Sequence, residues 1–491
     1  SLDKTEKFMT PNSNPKIDLI RGLGLVAAIS IILGNVIGTG VFLKARVMTC
    51  NVGDPTWVII AWVAAGILSL AGALTYAELS AMKPQAGGEY VFLRDAYGRV
   101  WSFLYGWMLI FVGKTGAQAS VAVAFAIFLN DLLGGTLKQT LFQTQIFGYP
   151  YELTSLQIIA VVLIVLITTI NCASVVVSGQ LATMLTFVKI FLILLVGFGA
   201  FFLATGDFSH FSQIAEGGTC EGVNETVRYG AAGYGFAAGF GAAMLGALWG
   251  YDGWNNLTLV AGEVQNPQRN IPIALIGGTV LIIFLYVFAN IAYFYVLTPM
   301  EIASVPSSSS VAKEVAIRFL GSGALMIMTI GLMLSSIGTL HTSILTGARV
   351  PYAMGQDGVF FKKFGELSAG TRVPIIALVV QGLWACILCL SGSFDTLTDY
   401  VVFGSWIFYA LATASVFVFR RTMPDAERPY KAFGYPIVPF LFLLAAGWLL
   451  INTMISTPVQ AFTGIILILL GLPVYYLLTK GNSQKRENIE E

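Results

Sequence analysis

Three glycines and a threonine interrupt the first long apolar segment of the chain, in residues 34–40, Gly-Asn-Val-Ile-Gly-Thr-Gly. A glycine inside a helix costs about 1 kcal/mol relative to alanine. Within lipid, every backbone group that a break frees must find a partner in the protein or in a water-lined cavity. The stretch therefore predicts a discontinuous helix whose exposed amides and carbonyls form a binding site. The alternative is a small-residue packing face between two helices.

A second interruption lies in the sixth apolar segment, at residues 248–256, Leu-Trp-Gly-Tyr-Asp-Gly-Trp-Asn-Asn. It carries Asp252 near the expected midplane, where the carboxylate either serves a ligand or only pairs with another buried group. The start of a half-helix offers unpaired amides for a carboxylate, and its end offers carbonyls for an ammonium group. Two breaks that meet therefore suit a zwitterion with both groups on one carbon.

Membrane-spanning helices must position these two breaks. The composition is that of a protein with many such helices. Of 491 residues, 56% are hydrophobic and 11% charged, with a mean hydropathy of +0.78, whereas soluble domains carry about 25% charged residues. The net charge of +1 gives no reason to expect a nucleic-acid partner. About twelve apolar segments have spanning length, at residues 23–48, 57–80, 100–130, 156–174, 179–204, 233–262, 271–297, 324–350, 374–391, 399–419, 435–453 and 459–479.

We therefore predict an all-α membrane protein of about twelve helices, with the first and sixth discontinuous. Breaks at corresponding positions in two halves indicate two five-helix inverted repeats. The predicted divisions are an N-terminal tail at 1–22, a first repeat at 23–205, an extracellular loop at 206–232, a second repeat at 233–420, two further helices at 421–480 and a C-terminal tail at 481–491.

The distribution of lysine and arginine predicts the orientation. With the N-terminus inside, 19 of the 27 basic residues fall on the inner side, 6 fall outside, and Lys114 and Lys189 lie within spans. The inner bases include Lys83, Arg94, Arg420 and Arg428. By the positive-inside rule both termini are cytoplasmic. The outer loop contains a glycosylation sequon at Asn224, a pattern that is common by chance.

The five cysteines lack the spacing of a metal site, and neither a metal nor a cofactor is expected. Cys386 and Cys389 lie in an apolar run, which favours packing. Cys50 and Cys220 both fall outside, near membrane ends. We expect them to be free thiols, the alternative being a disulfide.

Several motifs resemble the amino acid–polyamine–organocation superfamily, and within it the L-amino-acid transporter family, over nearly the whole chain. Residues 34–42 match the pattern G-x-x-I-G-[ST]-G-[IV]-F. The other matching stretches are residues 70–78 (LAGALTYAE), 87–90 (GGEY) and 249–255, Glu263, Asn266-Pro267, Ile271-Pro272, Ala274 and residues 428–430 (RPY).

This resemblance implies the leucine-transporter fold and amino-acid transport, usually by exchange. By position, the substrate carboxylate would meet the amides of Gly38, Thr39 and Gly40. The implied ammonium ligands are the carbonyls of Val36, Trp249 and Asp252, with Ile37 and Gly250 in the same breaks. The Trp249 indole would form the outer gate.

Two departures from the family pattern bear on partners and specificity. Residues 131–156 contain no cysteine, so we expect no disulfide-linked heavy chain. Asn35 stands where many relatives carry threonine or serine, and it is a candidate pathway residue.

Ionisable residues within spans are candidates for function. Lys189 occupies a lysine position of the family, where its ammonium would replace a sodium ion and join the first break to Ser335 or Ser336. Its alternatives are a static structural pair and a proton-coupled role. Lys114 is expected to face the substrate side chain or the inner vestibule. For His341 packing is favoured over a place in the pathway.

Two carboxylates have further expected roles. Glu78 should pair with a base on the inner side. Asp252 would either offer its backbone carbonyl to the ammonium group or admit cationic side chains through its carboxylate.

The predicted function is sodium-independent exchange of L-amino acids across the plasma membrane by alternating access. The same-class alternative is a proton-coupled symporter. An enzyme using His341 or Glu78 is disfavoured because no serine–histidine, metal or phosphate-binding constellation is evident in the sequence. A sensor that binds substrate without transporting it is the third alternative.

Overall fold

The computed structural model describes residues 18–146, 149–307, 309–391, 394–456 and 458–479. They form a helical protein with one short antiparallel pair, β1 (Thr140–Ile146) and β2 (Tyr149–Thr154). The helices are α1 (Leu25–Val36), α2 (Gly40–Val52), α3 (Pro55–Met82), α4 (Glu89–Tyr97), α5 (Arg99–Met108), α6 (Lys114–Leu132), α7 (Ser155–Asn171), α8 (Val175–Phe202), α9 (Phe236–Tyr251), α10 (Pro267–Val296), α11 (Pro299–Ala303), α12 (Val311–Leu320), α13 (Gly323–Gly347), α14 (Arg349–Gln356), α15 (Ile375–Ser391), α16 (Phe394–Thr422), α17 (Ile437–Ser456) and α18 (Pro458–Leu469).

The predicted membrane class is confirmed. In the described parts of the chain, nine helices are long and apolar enough to cross a membrane, and α7 and α15 are shorter apolar helices. The predicted sixth span consists of the 16-residue α9 followed by a 3-10 segment, Asn256–Glu263. The count of twelve spans stays a prediction.

Local sequence fixes where several of these helices begin. Asp54 accepts a hydrogen bond from the amide of Thr56, and Pro55 occupies the first turn of α3. Ser174 accepts from the amide of Val177 at the start of α8. Such caps satisfy amides that have no partner within their own helix.

The packing places the broken helices at the centre of the molecule. The first half-helix, α1, packs against α8, α10 and α13, while α2 packs against α9. In α1, the core-facing residues Ile31, Ile32 and Leu33 are almost completely buried. The first break is therefore enclosed by protein on several sides, as irregular backbone at membrane depth requires.

The free-thiol prediction for the two outer cysteines is wrong, because the structure contains a Cys50–Cys220 disulfide with a Cα–Cα distance of 5.7 Å. Backbone hydrogen bonds bring the loop against the end of α2. The Tyr229 amide donates to the Cys50 carbonyl at 2.8 Å, and the Ala215 amide donates to the Gly53 carbonyl at 2.7 Å. The cysteines are 170 residues apart in sequence, so only the folded loop reveals this proximity.

The predicted ion pair of Glu78 is confirmed. Its carboxylate lies 2.6 Å from Arg420 and 3.3 Å from Arg428, two of the bases assigned to the inner side. A second glutamate, Glu263, forms a fully buried pair with Arg349 at 2.7 Å. Both ion pairs join segments that are far apart in the chain, so they hold the helices that carry them together.

Candidate functional site

The two predicted interruptions are present as breaks in the helices, and they touch each other. In the first, α1 ends at Val36 and α2 begins at Gly40. In the second, α9 ends at Tyr251, and Gly253 has a φ of 101°, which favours glycine. A Cβ added to Gly40 would lie 3.0 Å from the Cα of Gly250. The close approach of the two backbones thus requires glycine at position 40.

A cavity of about 140 Å³ lies between the breaks. Among the residues singled out from the sequence, those that line it are Asn35, Val36, Gly38, Thr39, Gly40, Lys114, Trp249, Gly250 and Asp252. Polar residues that the sequence analysis did not single out as site residues also line it, namely Tyr105, Ser120, Asn255, Asn256, Thr339, Ser343, Ser405 and Tyr409. Ile37, Lys189, Ser335, Ser336 and His341 are buried outside the cavity lining.

Lys189 binds the carbonyl end of α1. Its buried Nζ donates to the Gly34 carbonyl at 2.7 Å and to the Thr339 hydroxyl at 2.8 Å. A cation at the end of a helix complements the partial negative charge of the unpaired carbonyls. The contact with the first break agrees with the prediction. The hydroxyl that accepts from Lys189, however, is that of Thr339 on α13 and not that of Ser335 or Ser336.

The two serines proposed as partners of Lys189 have other contacts. Ser335 Oγ donates to the Ile37 carbonyl at 3.4 Å, and Ser336 Oγ donates to the Leu332 carbonyl within its own helix. Thr339 lies one turn after Ser335, on the same face of α13, so the i, i+4 spacing of hydroxyls was the available sequence signal.

His341 has hydrogen-bonding partners away from the breaks. Its Nδ1 lies 3.1 Å from the Asn171 amide nitrogen, and its Nε2 lies 2.9 Å from the Ser178 carbonyl. The ring thus joins α13 to α7 and α8, in line with the favoured packing interpretation.

Tyr286 on α10 connects the two breaks. Its hydroxyl oxygen lies 2.9 Å from the Val36 carbonyl and 3.0 Å from the Gly250 carbonyl. A phenol has one proton, so it donates to one of these carbonyls at a time. No charge or glycine pattern in the sequence distinguishes this tyrosine.

Two helix ends lie at the cavity: the amide end of α2 and the carbonyl end of α9, where the Trp249 carbonyl accepts from the Asp252 amide at 3.2 Å and keeps a second lone pair for a ligand. The first residue of α2 has no partner four residues earlier in the same helix, and Thr39 makes no side-chain cap. The Gly38 amide donates to the Val36 carbonyl at 2.8 Å, which differs from the expected carboxylate contact. The amides of Thr39 and Gly40 are therefore the better candidates.

The ring of Trp249 closes one side of this site. A Cβ added to Gly40 would lie 3.2 Å from the indole, and Lys44 Nζ is 4.5 Å from the ring centroid. Gly40 and Lys44 are four residues apart on α2, so they present one face to the indole. A cation over an aromatic face is attracted by the ring quadrupole.

Two charged side chains contribute to the cavity wall. Lys114 is 9% exposed and interacts electrostatically with Asp252 and Glu89. The Asp252 carboxylate accepts a hydrogen bond from the Tyr409 hydroxyl at 2.9 Å. The cavity thus offers a cation, a carboxylate, helix amides and helix carbonyls within one small volume.

The model of the amino acid permease family matches residues 23–478. The chain belongs to this family. The chain is 30% identical to b(0,+)-type amino acid transporter 1 of Mus musculus, over 94% of this chain and 88% of the relative. It is 29% identical to the serine/threonine exchanger SteT of Bacillus subtilis, over 94% and 98%. Large neutral amino acids transporter small subunit 2 of Mus musculus is 31% identical, over 94% and 81%.

These matches confirm the resemblance drawn from the sequence motifs. All three relatives are named as transporters or exchangers of amino acids. The match extends across both helix breaks of this chain and the helices that enclose them.

Proposed function

We propose that this protein is a sodium-independent exchanger of L-amino acids that works by alternating access in the plasma membrane. The observation that carries the proposal is the pair of open helix ends of opposite polarity, α2 and α9, at one cavity. The amide end suits the carboxylate of an α-amino acid, and the carbonyl end suits its ammonium group. The relative that is named as an exchanger, SteT of Bacillus subtilis, supports the mode of transport.

The roles of individual residues are part of this proposal. Thr39 and Gly40 bind the carboxylate through their amides, and the carbonyls of Trp249 and Asp252 bind the ammonium group. The indole of Trp249 is the outer gate. Lys189 holds the first break with a fixed positive charge, so no sodium ion is needed there.

We propose the organisation in the membrane from two features of the sequence, the distribution of basic residues and the positions of the two breaks. Both termini are cytoplasmic, because basic residues concentrate on that side. The two breaks belong to inverted repeats at 23–205 and 233–420. No disulfide-linked heavy chain is required, because residues 131–156 contain no cysteine, and no enzymatic step is assigned.

Counter-exchange in proteoliposomes tests the proposal. Vesicles preloaded with unlabelled L-serine, L-leucine or L-arginine are placed in each radiolabelled amino acid, with and without sodium. We expect uptake only into preloaded vesicles and no effect of sodium. Uptake into empty vesicles driven by a proton gradient would favour the symporter, and binding without flux would favour a sensor.

A further inference from the structure

Glu89 is a buried carboxylate that connects the cavity wall to the second break. It begins α4, directly after Gly88, and its side chain is fully buried. The Tyr105 hydroxyl donates to its Oε2 at 3.1 Å, the Thr258 hydroxyl lies 3.4 Å from the same oxygen, and the Asn255 amide donates to its Oε1. Tyr105 and Asn255 both line the cavity.

The surroundings of Glu89 differ from those of two other buried glutamates. Glu78 and Glu263 are paired with arginines. In the part of the chain that the structure describes, no lysine, arginine or histidine nitrogen lies within 4.0 Å of the Glu89 carboxylate. The three side chains that donate to it, those of Tyr105, Asn255 and Thr258, are neutral. Burying an ionised carboxylate without a paired cation is costly, and such a group commonly becomes neutral instead.

The titratable groups around Glu89 come from several elements. The phenols of Tyr76 on α3, Tyr105 on α5 and Tyr409 on α16 interact electrostatically with it. The ammonium of Lys114 on α6 does so as well, and it also interacts with Asp252 near the second break.

One ammonium group therefore serves two carboxylates. With Lys114, Glu89 and Asp252 all ionised, the cluster lacks one positive charge. A proton on Glu89 would restore neutrality without any other change.

We propose that Glu89 is a proton-binding site of the transport cycle. It takes up a proton when the inner wall of the cavity, the side formed by Tyr105 and Asn255 next to Glu89, closes, and it releases the proton when that wall opens. The proton comes from water and forms an O–H bond on one carboxylate oxygen. When the wall opens, the proton returns to water, which then solvates the ionised carboxylate.

An acceptor for this proton is already in place. Asn255 Oδ1 is buried and has no hydrogen-bond partner among the described residues. Rotation of the amide group would turn this oxygen toward Glu89, so the protonated acid would donate to it. The closed state then contains one buried charge fewer, and the Asn255 oxygen accepts from Glu89 where the amide NH2 group donated before.

The position of α4 indicates which aqueous side exchanges the proton. The helix runs from Glu89 to Arg94 and Asp95, which are partly exposed and pair with Asp357 and Lys83. Lys83 and Arg94 are among the bases assigned to the cytoplasm. Glu89 is therefore expected to meet cytoplasmic water when the inner wall opens.

The inference rests on the proposed transport function, and its test separates the two. Exchange is measured in proteoliposomes at equal pH on both sides, with the fastest substrate among L-serine, L-leucine and L-arginine. Because closure needs the protonated acid, we expect the wild-type rate to fall as pH rises, by roughly tenfold per pH unit on the alkaline side.

Three variants test whether the titration of Glu89 causes this pH dependence. Glu89→Gln resembles the protonated acid and should exchange at a rate that changes little with pH. Glu89→Asp keeps a titrating group and should keep the slope. Glu78→Gln, a change at a buried but arginine-paired carboxylate, should also keep the slope even if it lowers stability.

Infrared difference spectra between acidic and alkaline samples provide a readout that does not need transport. The carbonyl band of protonated carboxylic acids should be stronger in the wild type than in Glu89→Gln, because the variant lacks the contribution of Glu89. A pH-independent wild type, an unchanged slope in Glu89→Gln or an unchanged band would overturn the inference. If no amino acid is exchanged, the transport proposal fails, and the infrared band alone decides whether Glu89 binds a proton.

Discussion

In the first break, the carbonyl end of α1 meets the ammonium of Lys189, whereas the segment that follows the second break meets the carboxylate of Glu89. The contact with Lys189 has the sign that complements the carbonyl end of a helix, whereas Glu89 accepts from the side chains of Asn255 and Thr258. The start of α2 and the end of α9 line the cavity. The protein thus places a charged side chain of its own beside each break and leaves the start of α2 and the end of α9 facing the cavity, where a ligand can bind.

The two internal charges also differ in their surroundings. Lys189 is a cation held by two fixed acceptors, the Gly34 carbonyl and the hydroxyl of the cavity-lining Thr339, while Glu89 is a carboxylate whose side-chain donors are neutral, and two of them line the cavity. The first break is therefore expected to respond mainly to loss of a fixed contact, and the second to changes in pH.

The largest expected effect comes from the contact between the breaks. In Gly40→Val, the branched side chain would collide with Gly250 and with the Trp249 ring, since even a Cβ would lie 3.0 and 3.2 Å from them. We expect loss of measurable exchange and substrate binding, because inserted bulk costs about 1–3 kcal/mol even where neighbours can adjust.

The matched control for this change is Gly38→Ala in the same break. A Cβ there would lie 3.6 Å from its nearest neighbour, Thr339, which is an ordinary contact distance. We expect a much smaller loss of exchange, measured beside thermal stability in both variants. Equal losses would contradict the conclusion that the breaks meet at Gly40.

Removing the cation from the first break should have the next largest effect. Lys189→Ala leaves the Gly34 carbonyl without its buried donor, which costs about 1–3 kcal/mol. We expect an exchange rate about tenfold to 100-fold lower, with substrate affinity changed more on one membrane face than on the other. Rates and affinities are measured from each side of the membrane.

Thr339→Val is the milder companion of that change, because Lys189 keeps its contact with Gly34. Its exchange rate should lie between those of the wild type and Lys189→Ala. Normal exchange by Lys189→Ala, or a sodium requirement in the unmodified protein, would count against the coupling role.

A moderate effect is expected at the proposed gate. Trp249→Ala removes the ring that packs on Gly40 and lies under Lys44. We expect the KM for exchange to rise by about tenfold, the equivalent of 1.4 kcal/mol. Trp101→Ala, at an indole that is 45% exposed, should leave KM unchanged. The same KM in both variants would mean that Trp249 only packs.

The smallest expected effect concerns the link between the breaks. Tyr286→Phe removes a hydroxyl that lies between the carbonyls of Val36 and Gly250, a loss of about 1 kcal/mol. We expect a roughly fivefold loss of substrate affinity in a binding assay. Tyr293→Phe on the same helix removes a hydroxyl that has no partner among the described residues, so it should bind normally. Weaker binding by Tyr293→Phe than by Tyr286→Phe would contradict this link.

The sequence predicted the membrane class and both breaks because those features are local. Glycines inside an apolar run mark a break wherever they fold, and hydropathy marks a span. Lys189 was found for the same reason, since a lysine within a span is conspicuous.

Contacts between distant segments were beyond that reasoning. Thr339 rather than Ser335 receives Lys189 because of the position of α13 along its axis relative to α8, which residue types do not encode. Tyr286 lies in an apolar helix where a tyrosine attracts no notice. The Cys50–Cys220 disulfide depends on how a long loop folds back onto α2.

The central claim is that the open ends of α2 and α9 bind the two charges of one α-amino acid. Competition against exchange of a radiolabelled L-amino acid tests it directly, with the unlabelled parent, its methyl ester and its N-acetyl derivative as competitors. Because each change removes charge-assisted hydrogen bonds worth about 1.5–3 kcal/mol, both derivatives should compete at least about tenfold more weakly than the parent. A methyl ester or an N-acetyl derivative that competes as well as the parent would contradict the account.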